Sequence, residues 1–206
     1  MYVSLVSDQI LSQFEQPEYR GAIALPGCFS ADECNRLMQL RDSLAITAGG
    51  VGADSGHHTS VRNSNVGWIS PSQESAWFYQ RFLTVLAHLN SRYFGFDLLG
   101  FDGPLQFTEY GPGQFYDWHQ DIGPGRYQHR KLTGIVVLSS PKEYHGGGLE
   151  FIDSCLFADP SELSQLKEPT QGTVIAFPTY QMHRVRPIES GVRRVIVGWL
   201  VGPGFR

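Results

Sequence analysis

The chain has 206 residues, of which 41% are hydrophobic, 17% charged and 13% aromatic, with a formal net charge of -4. That balance suits one well-buried globular domain spanning 1–206 and excludes an intrinsically disordered chain. The mild acidity offers no basic field for nucleic acid or an anionic membrane, and no apolar run approaches membrane length.

Met1 to Glu15 lacks the basic start and apolar run of a secretory leader. Cys28, Cys34 and Cys155 are odd in number and without C-x-x-C spacing, which points to a reducing, cytoplasmic setting and away from a disulfide framework or a zinc site. Gly21 to Phe29 reads as a short buried strand. Ser30-Ala31-Asp32-Glu33 then forms a capping box, with Cys34, Leu37 and Met38 as the buried stripe of the helix it opens. Thr47 to Ser60 is polar and rich in glycine, the pattern of a surface loop that could serve as a lid, and its His57-His58 pair reads as exposed. Val61 to Ile69 is strand-like. Ser70-Pro71-Ser72-Gln73 is expected to open a second helix, whose Phe78, Phe82, Val85, Leu86, Leu89 and Tyr93 recur at helical spacing.

From Phe96 onward only strands are expected, over 96–99, 105–110, 114–120, 132–138, 148–152, 173–177, 182–186 and 193–200. Residues 153–172 interrupt them, with one helical turn expected over Pro160–Leu166. Helices first and short strands afterwards give an α+β class. Residues 1–95 are then helical support and substrate-side elements, and 96–206 a jelly-roll core.

The chemistry concentrates in Tyr110 to Asp121. His119 and Asp121 are two residues apart, so an extended strand places both on one face. An imidazole and a carboxylate so placed supply two ligands of a 2-His-1-carboxylate triad, which holds non-haem Fe(II) and leaves other positions open. His183, from a distant strand, is the candidate third ligand. Ten residues further on, Arg193 begins an apolar strand and shares a face with Val195, Val197 and Trp199. An inward guanidinium needs an anion, and a carboxylate matches its two-pronged geometry best. Arg194 points the other way. Gln106 shares the face of Tyr110 and is a candidate cosubstrate contact. Arg62, Trp118 and Arg126 are candidate substrate contacts, although regular alternation turns Tyr116 and Trp118 away from His119 towards packing roles. Arg126, His129, Arg130 and Lys131 form a basic cluster that lines the site mouth or is solvated.

The spacing Tyr110-x-x-Gly113-x-x-Tyr116-x-x-His119-x-Asp121 resembles the signature of Fe(II)/2-oxoglutarate-dependent oxygenases of the prolyl 4-hydroxylase-like branch. Gly147-Gly148-x-Glu150-Phe151, Gly172-Thr173-x-x-x-Phe177-Pro178, His183-Arg184-Val185-x-Pro187 and Gly191-x-Arg193 follow in the same order. The resemblance covers roughly 100–201. It implies a double-stranded β-helix with helices behind its larger sheet, Fe(II) on His119, Asp121 and His183, and 2-oxoglutarate held by Arg193 with help from Tyr110. It further implies use of dioxygen, with ascorbate as a candidate reductant, and hydroxylation of an unactivated C–H bond in an amino-acid-like, peptidyl or small-molecule substrate. The competing reading from another class is a non-catalytic, cupin-like jelly-roll module that binds an acidic ligand.

Overall fold

The computed structural model describes residues 21–50, 59–152 and 169–205. The readings of Met1–Glu15, His57-His58, Cys155 and the Pro160–Leu166 turn lie outside the described residues, as does most of the 47–60 loop and with it any lid.

Helix α1 (Ala31–Gln39) starts where its capping box requires. The Ser30 hydroxyl accepts from the Glu33 N–H, and the Glu33 carboxylate accepts from the Ser30 N–H at 2.8 Å. Helix α2 (Ala76–Leu89) begins later than the Ser-Pro-Ser-Gln signal suggested. Ser72 and Ser75 instead close a turn on each other, each hydroxyl accepting from the other's backbone N–H, which delays the helix by a turn. Beyond α2 a single wide turn, Asn90–Phe94, ends on Gly95 in the left-handed region at φ 68°. No helix among the described residues is long and apolar enough to cross a membrane.

The strands are β1 (Ile23–Leu25), β2 (Thr47–Ala48), β3 (Arg62–Asn63), β4 (Asn65–Ile69), β5 (Gly100–Phe101), β6 (Leu105–Tyr110) and β7 (Phe115–His119), then β8 (Arg130–Val137), β9 (Tyr144–Gly146), β10 (Leu149–Phe151), β11 (Val174–Pro178), β12 (His183–Val185), β13 (Ile188–Gly191) and β14 (Arg193–Val201). The larger antiparallel sheet runs β1-β11-β8-β14-β6-β4-β2, with β5 added to β14; the smaller runs β10-β12-β7-β3, and β13 pairs with β9.

Several expectations change. No strand forms over 96–99, where Leu99 is 81% exposed; pairing starts at Gly100 and Phe101, opposite Val201 and Leu200. Strands β9 and β13 were not anticipated. The 61–69 segment breaks at Ser64, its first part pairing with β7 and its second with β6, so one short stretch feeds both sheets. The first half of the chain is therefore not only helical support, because β1 to β4 complete the sheets.

Alternation divides the core in two. On the outer face of the large sheet, Leu105, Phe107, Leu132, Val136, Val174, Ala176, Ile196 and Leu200 pack against Cys34 and Leu37 of α1 and Phe78, Phe82, Leu86 and Leu89 of α2. On the inner face, Tyr110, Ile135, Val137, Ile175, Phe177 and Val195 meet Leu149 and Val185 of the small sheet. Gly134 and Gly198 sit opposite each other on β8 and β14 and make the flat place where α2 lies. A Cβ on Gly134 would fall 2.6 Å from Leu86 Cδ1 and 2.9 Å from the Phe82 ring. Gly134→Ala is expected to cost about 1–3 kcal/mol and lower the unfolding midpoint by roughly 2–12 °C. An unchanged midpoint in calorimetry would show that α2 does not press on this strand.

Candidate active site

A cavity of about 580 Å³ opens between the two sheets, in the range of small-molecule sites. Strands β7 and β12 pair so that His119 stands opposite His183, with ring centroids 4.1 Å apart. Asp121 lies just beyond β7, in a bend rather than on the strand. Its backbone N–H and that of Ile122 both donate to the Thr179 carbonyl, at 2.9 and 3.1 Å, and turn its side chain inward. The Thr133 hydroxyl of β8 donates to Asp121 Oδ2 at 2.6 Å. His119 Nε2 is 3.9 Å from Asp121 Oδ1, and His183 Nε2 is 3.7 Å from Oδ2. One ligand atom from each of the three residues lies within 4.8 Å of the others.

The hydrogen bonds decide which imidazole nitrogens face inward. His119 Nδ1 sits 2.7 Å from the Asp117 carbonyl and His183 Nδ1 2.9 Å from the Gln181 carbonyl. A carbonyl only accepts, so both Nδ1 atoms carry a proton and Nε2 is the nitrogen that each ring turns to Asp121. Burial, with His183 adding to it, pushes the His119 pKa down to about 3. Burial works to raise that of Asp121, but His183, His119 and the Thr133 hydroxyl outweigh it and hold the carboxyl below the ordinary range. Two inward Nε2 atoms and one carboxylate form a donor set that could hold a divalent transition metal such as Fe(II). Trp199, in the cavity wall, also presents its Nε1 donor to this carboxylate and helps to hold its pKa down.

Arg193 is 2% exposed and lines the same cavity, its guanidinium carbon 5.8 Å from the Tyr110 ring centroid. Tyr110 lies opposite it on β6. Burial raises the Tyr110 pKa against the nearby charges of Arg62 and Arg193, so its hydroxyl stays a donor. Gln106, also inward, accepts from Arg62 at 2.7 Å and from Thr108 at 3.2 Å. Arg194 faces out and donates to Glu109 at 2.9 Å, beside Arg41.

Residues 105–201, from the first residue of β6 to the last of β14, match the family model described as the 2OG-Fe(II) oxygenase superfamily. The chain is also similar to a PKHD-type hydroxylase of Picosynechococcus sp. (31% identity over 96 residues, 47% of this chain and 41% of that protein) and to another of Synechococcus sp. (37% over 93 residues, 45% and 38%). It thus spans about two fifths of the length of these curated relatives. Among solved structures it shares its fold with a Pseudomonas putida prolyl-4-hydroxylase (TM-score 0.67, 20% identity, 90% of this chain and 94% of that one). The same holds for the viral collagen prolyl hydroxylase of Paramecium Bursaria Chlorella virus-1 (TM-score 0.64, 24% identity, 89% and 97%).

Within the matched segment the structure brings together His119, Asp121, His183, Arg193, Tyr110 and Gln106, and adds Arg62 from outside it. Two candidate substrate contacts move away. Trp118 lies outside the cavity lining, under the Arg184 guanidinium at 4.6 Å. Arg126 is exposed and paired with Asp102. In the basic cluster it is Arg130 that reaches the cavity, stacked between Tyr127 and Trp199 and held by Asp102 at 2.8 Å. Tyr116 corrects the alternation argument. His119 pairs with His183 while Tyr116 pairs with Val185, so β7 carries one extra residue. That bulge brings Tyr116 onto the His119 face, stacked on the imidazole at 3.4 Å. No glycine marks the bulge, and nothing local distinguishes Thr133 from other strand threonines. Both become visible only once the strands pair.

Proposed function

We propose that the chain is an Fe(II)- and 2-oxoglutarate-dependent dioxygenase that hydroxylates an unactivated C–H bond of an amino-acid-like, peptidyl or small-molecule substrate. The observation that carries this is one cavity holding both the inward-facing His119, Asp121 and His183 donor set and the buried Arg193, which meets no carboxylate among the described residues. In this reading 1–206 is one α+β domain with a double-stranded β-helix core, and it works in the cytoplasm, where Fe(II) and the free thiols of Cys28 and Cys34 persist.

His119, Asp121 and His183 would hold the metal. Arg193 binds the distal carboxylate of 2-oxoglutarate through paired charge-assisted hydrogen bonds, and the Tyr110 hydroxyl adds a third donor to it. Gln106 keeps its amide N–H₂ for the cosubstrate or substrate, since its carbonyl already accepts from Arg62 and Thr108. Thr133 orients Asp121. Bound iron and 2-oxoglutarate would supply the oxidation itself: dioxygen is reduced, 2-oxoglutarate leaves as succinate and carbon dioxide, and one oxygen atom enters the substrate, with ascorbate as a candidate reductant. What the chain contributes is position, fixing which carbon faces the metal.

The deciding experiment incubates the protein with Fe(II), 2-oxoglutarate, ascorbate and air, then measures succinate and screens candidate substrates by mass spectrometry for a gain of one oxygen atom. Succinate is expected even without substrate, through uncoupled turnover, and is expected to vanish in Asp121→Ala. A wild-type protein that binds 2-oxoglutarate but never releases succinate would instead be the cupin-like binding module for an acidic ligand.

A further inference from the structure

Four charged side chains matter inside the cavity: Arg62, Arg130, Arg193 and Asp121. Asp121 faces the two imidazoles. Arg130 is held by Asp102, a carboxylate it shares with Arg126. Arg193, on the reading above, is taken by 2-oxoglutarate. Arg62 is left over. It is 8% exposed, and no carboxylate among the described residues lies within ion-pair distance of it.

Its bonds are all to neutral oxygens. Nε donates to Ser64 Oγ at 2.8 Å, one terminal nitrogen to the Gly50 carbonyl at 3.1 Å, and the other to Gln106 Oε1 at 2.7 Å. Those three bonds use three of the five N–H groups of a guanidinium, and Arg62 also bonds the Tyr110 hydroxyl. They also lock the side chain in place, so little ordering remains to be done when a guest arrives. The guanidinium lies over the Tyr116 ring at 4.6 Å, and Tyr116 in turn stacks on His119 at 3.4 Å. This positive charge, with no counter-ion among the described residues, is therefore one ring removed from an imidazole of the proposed metal site. Keeping such a charge buried is costly, and a carboxylate is the anion that suits a guanidinium best.

We infer that Arg62 is a second anion subsite, separate from Arg193, and that the substrate carries a carboxylate which Arg62 holds beside the reaction centre. The inference rests on the oxygenase reading for the role of the site, but the subsite itself does not. Arg62 lies on β3, outside the segment that matches the family.

The test fills the Arg193 position first. Protein loaded with Mn(II) and saturating 2-oxoglutarate is titrated by calorimetry at low salt with a matched pair of probes, cyclopentanecarboxylate and cyclopentanecarboxamide. The wild type is expected to bind the acid at least tenfold more tightly than the amide. Arg62→Gln should erase that preference, and Arg62→Lys, which keeps the charge, should retain part of it; thermal unfolding of each variant confirms that it is folded. Equal affinity for the two probes in the wild type, or a preference that survives Arg62→Gln, overturns the inference. So does a loss of 2-oxoglutarate affinity in Arg62→Gln as large as in Arg193→Ala, which would assign Arg62 to the cosubstrate. If the wild type neither binds 2-oxoglutarate nor releases succinate, the oxygenase reading falls. The same two probes, titrated with Mn(II) alone, still decide whether Arg62 selects a carboxylate.

Discussion

Replacing Arg193 with alanine is expected to weaken 2-oxoglutarate binding by roughly 30- to 5000-fold while leaving the metal in place. The range follows from the cost of removing one partner of a buried, hydrogen-bonded charge pair, about 2–5 kcal/mol. Arg193 is buried in the cavity wall, opposite Tyr110 on the neighbouring strand. Arg193→Lys should fall between, because an ammonium keeps the charge but not the paired geometry. Arg194→Ala is the internal control. Its side chain is on the opposite face of β14, bound to Glu109, so a change of less than about threefold in cosubstrate affinity is expected, with at most a small loss of stability. Cosubstrate affinity measured by calorimetry on Mn(II)-loaded protein checks all three. If neither arginine matters, 2-oxoglutarate is not the ligand of this cavity.

The second large effect concerns Asp121. Asp121→Ala removes the only carboxylate among the described residues lining the cavity and leaves the Thr133 hydroxyl without its acceptor. Loss of a ligand should exceed the 10- to 100-fold typical of a lost supporting hydrogen bond, so metal affinity is expected to fall by at least about 100-fold. The chain should remain folded, because the Asp121 backbone bond to Thr179 does not depend on the side chain. Elemental analysis after loading with Fe(II), Mn(II) or Co(II) reads the outcome directly. Undiminished metal in the folded variant would remove Asp121 from the donor set. Thr133→Val then separates holding from orienting: it should weaken metal binding by roughly 10- to 100-fold, less than losing the carboxylate itself.

How far the sequence reaches is clearest along β14 and β7. On β14 the period of two is unbroken, so the inward placement of Arg193, Val195, Val197 and Trp199 was legible from alternation alone. The capping box at Ser30 was equally legible, because its two hydrogen bonds join residues three apart. On β7 the same rule failed. The extra residue between Tyr116 and His119 is imposed by pairing with β12, and it reversed the roles of Tyr116 and Trp118. Helix α2 was displaced for a local reason the pattern did not reveal, two serines that satisfy each other before the helix can start.

By itself, then, the sequence determined the ligand types, their order, and the face each takes on a regular strand, since these depend on residue identity and a short repeat. Only the tertiary structure decided which nitrogen of each imidazole turns inward, that Thr133 holds Asp121, that Arg130 rather than Arg126 reaches the cavity, and that Arg62 stands there without a counter-ion among the described residues. Those outcomes depend on groups far apart in the chain that meet when the sheets close, and the free energy of such meetings is not carried by any local stretch.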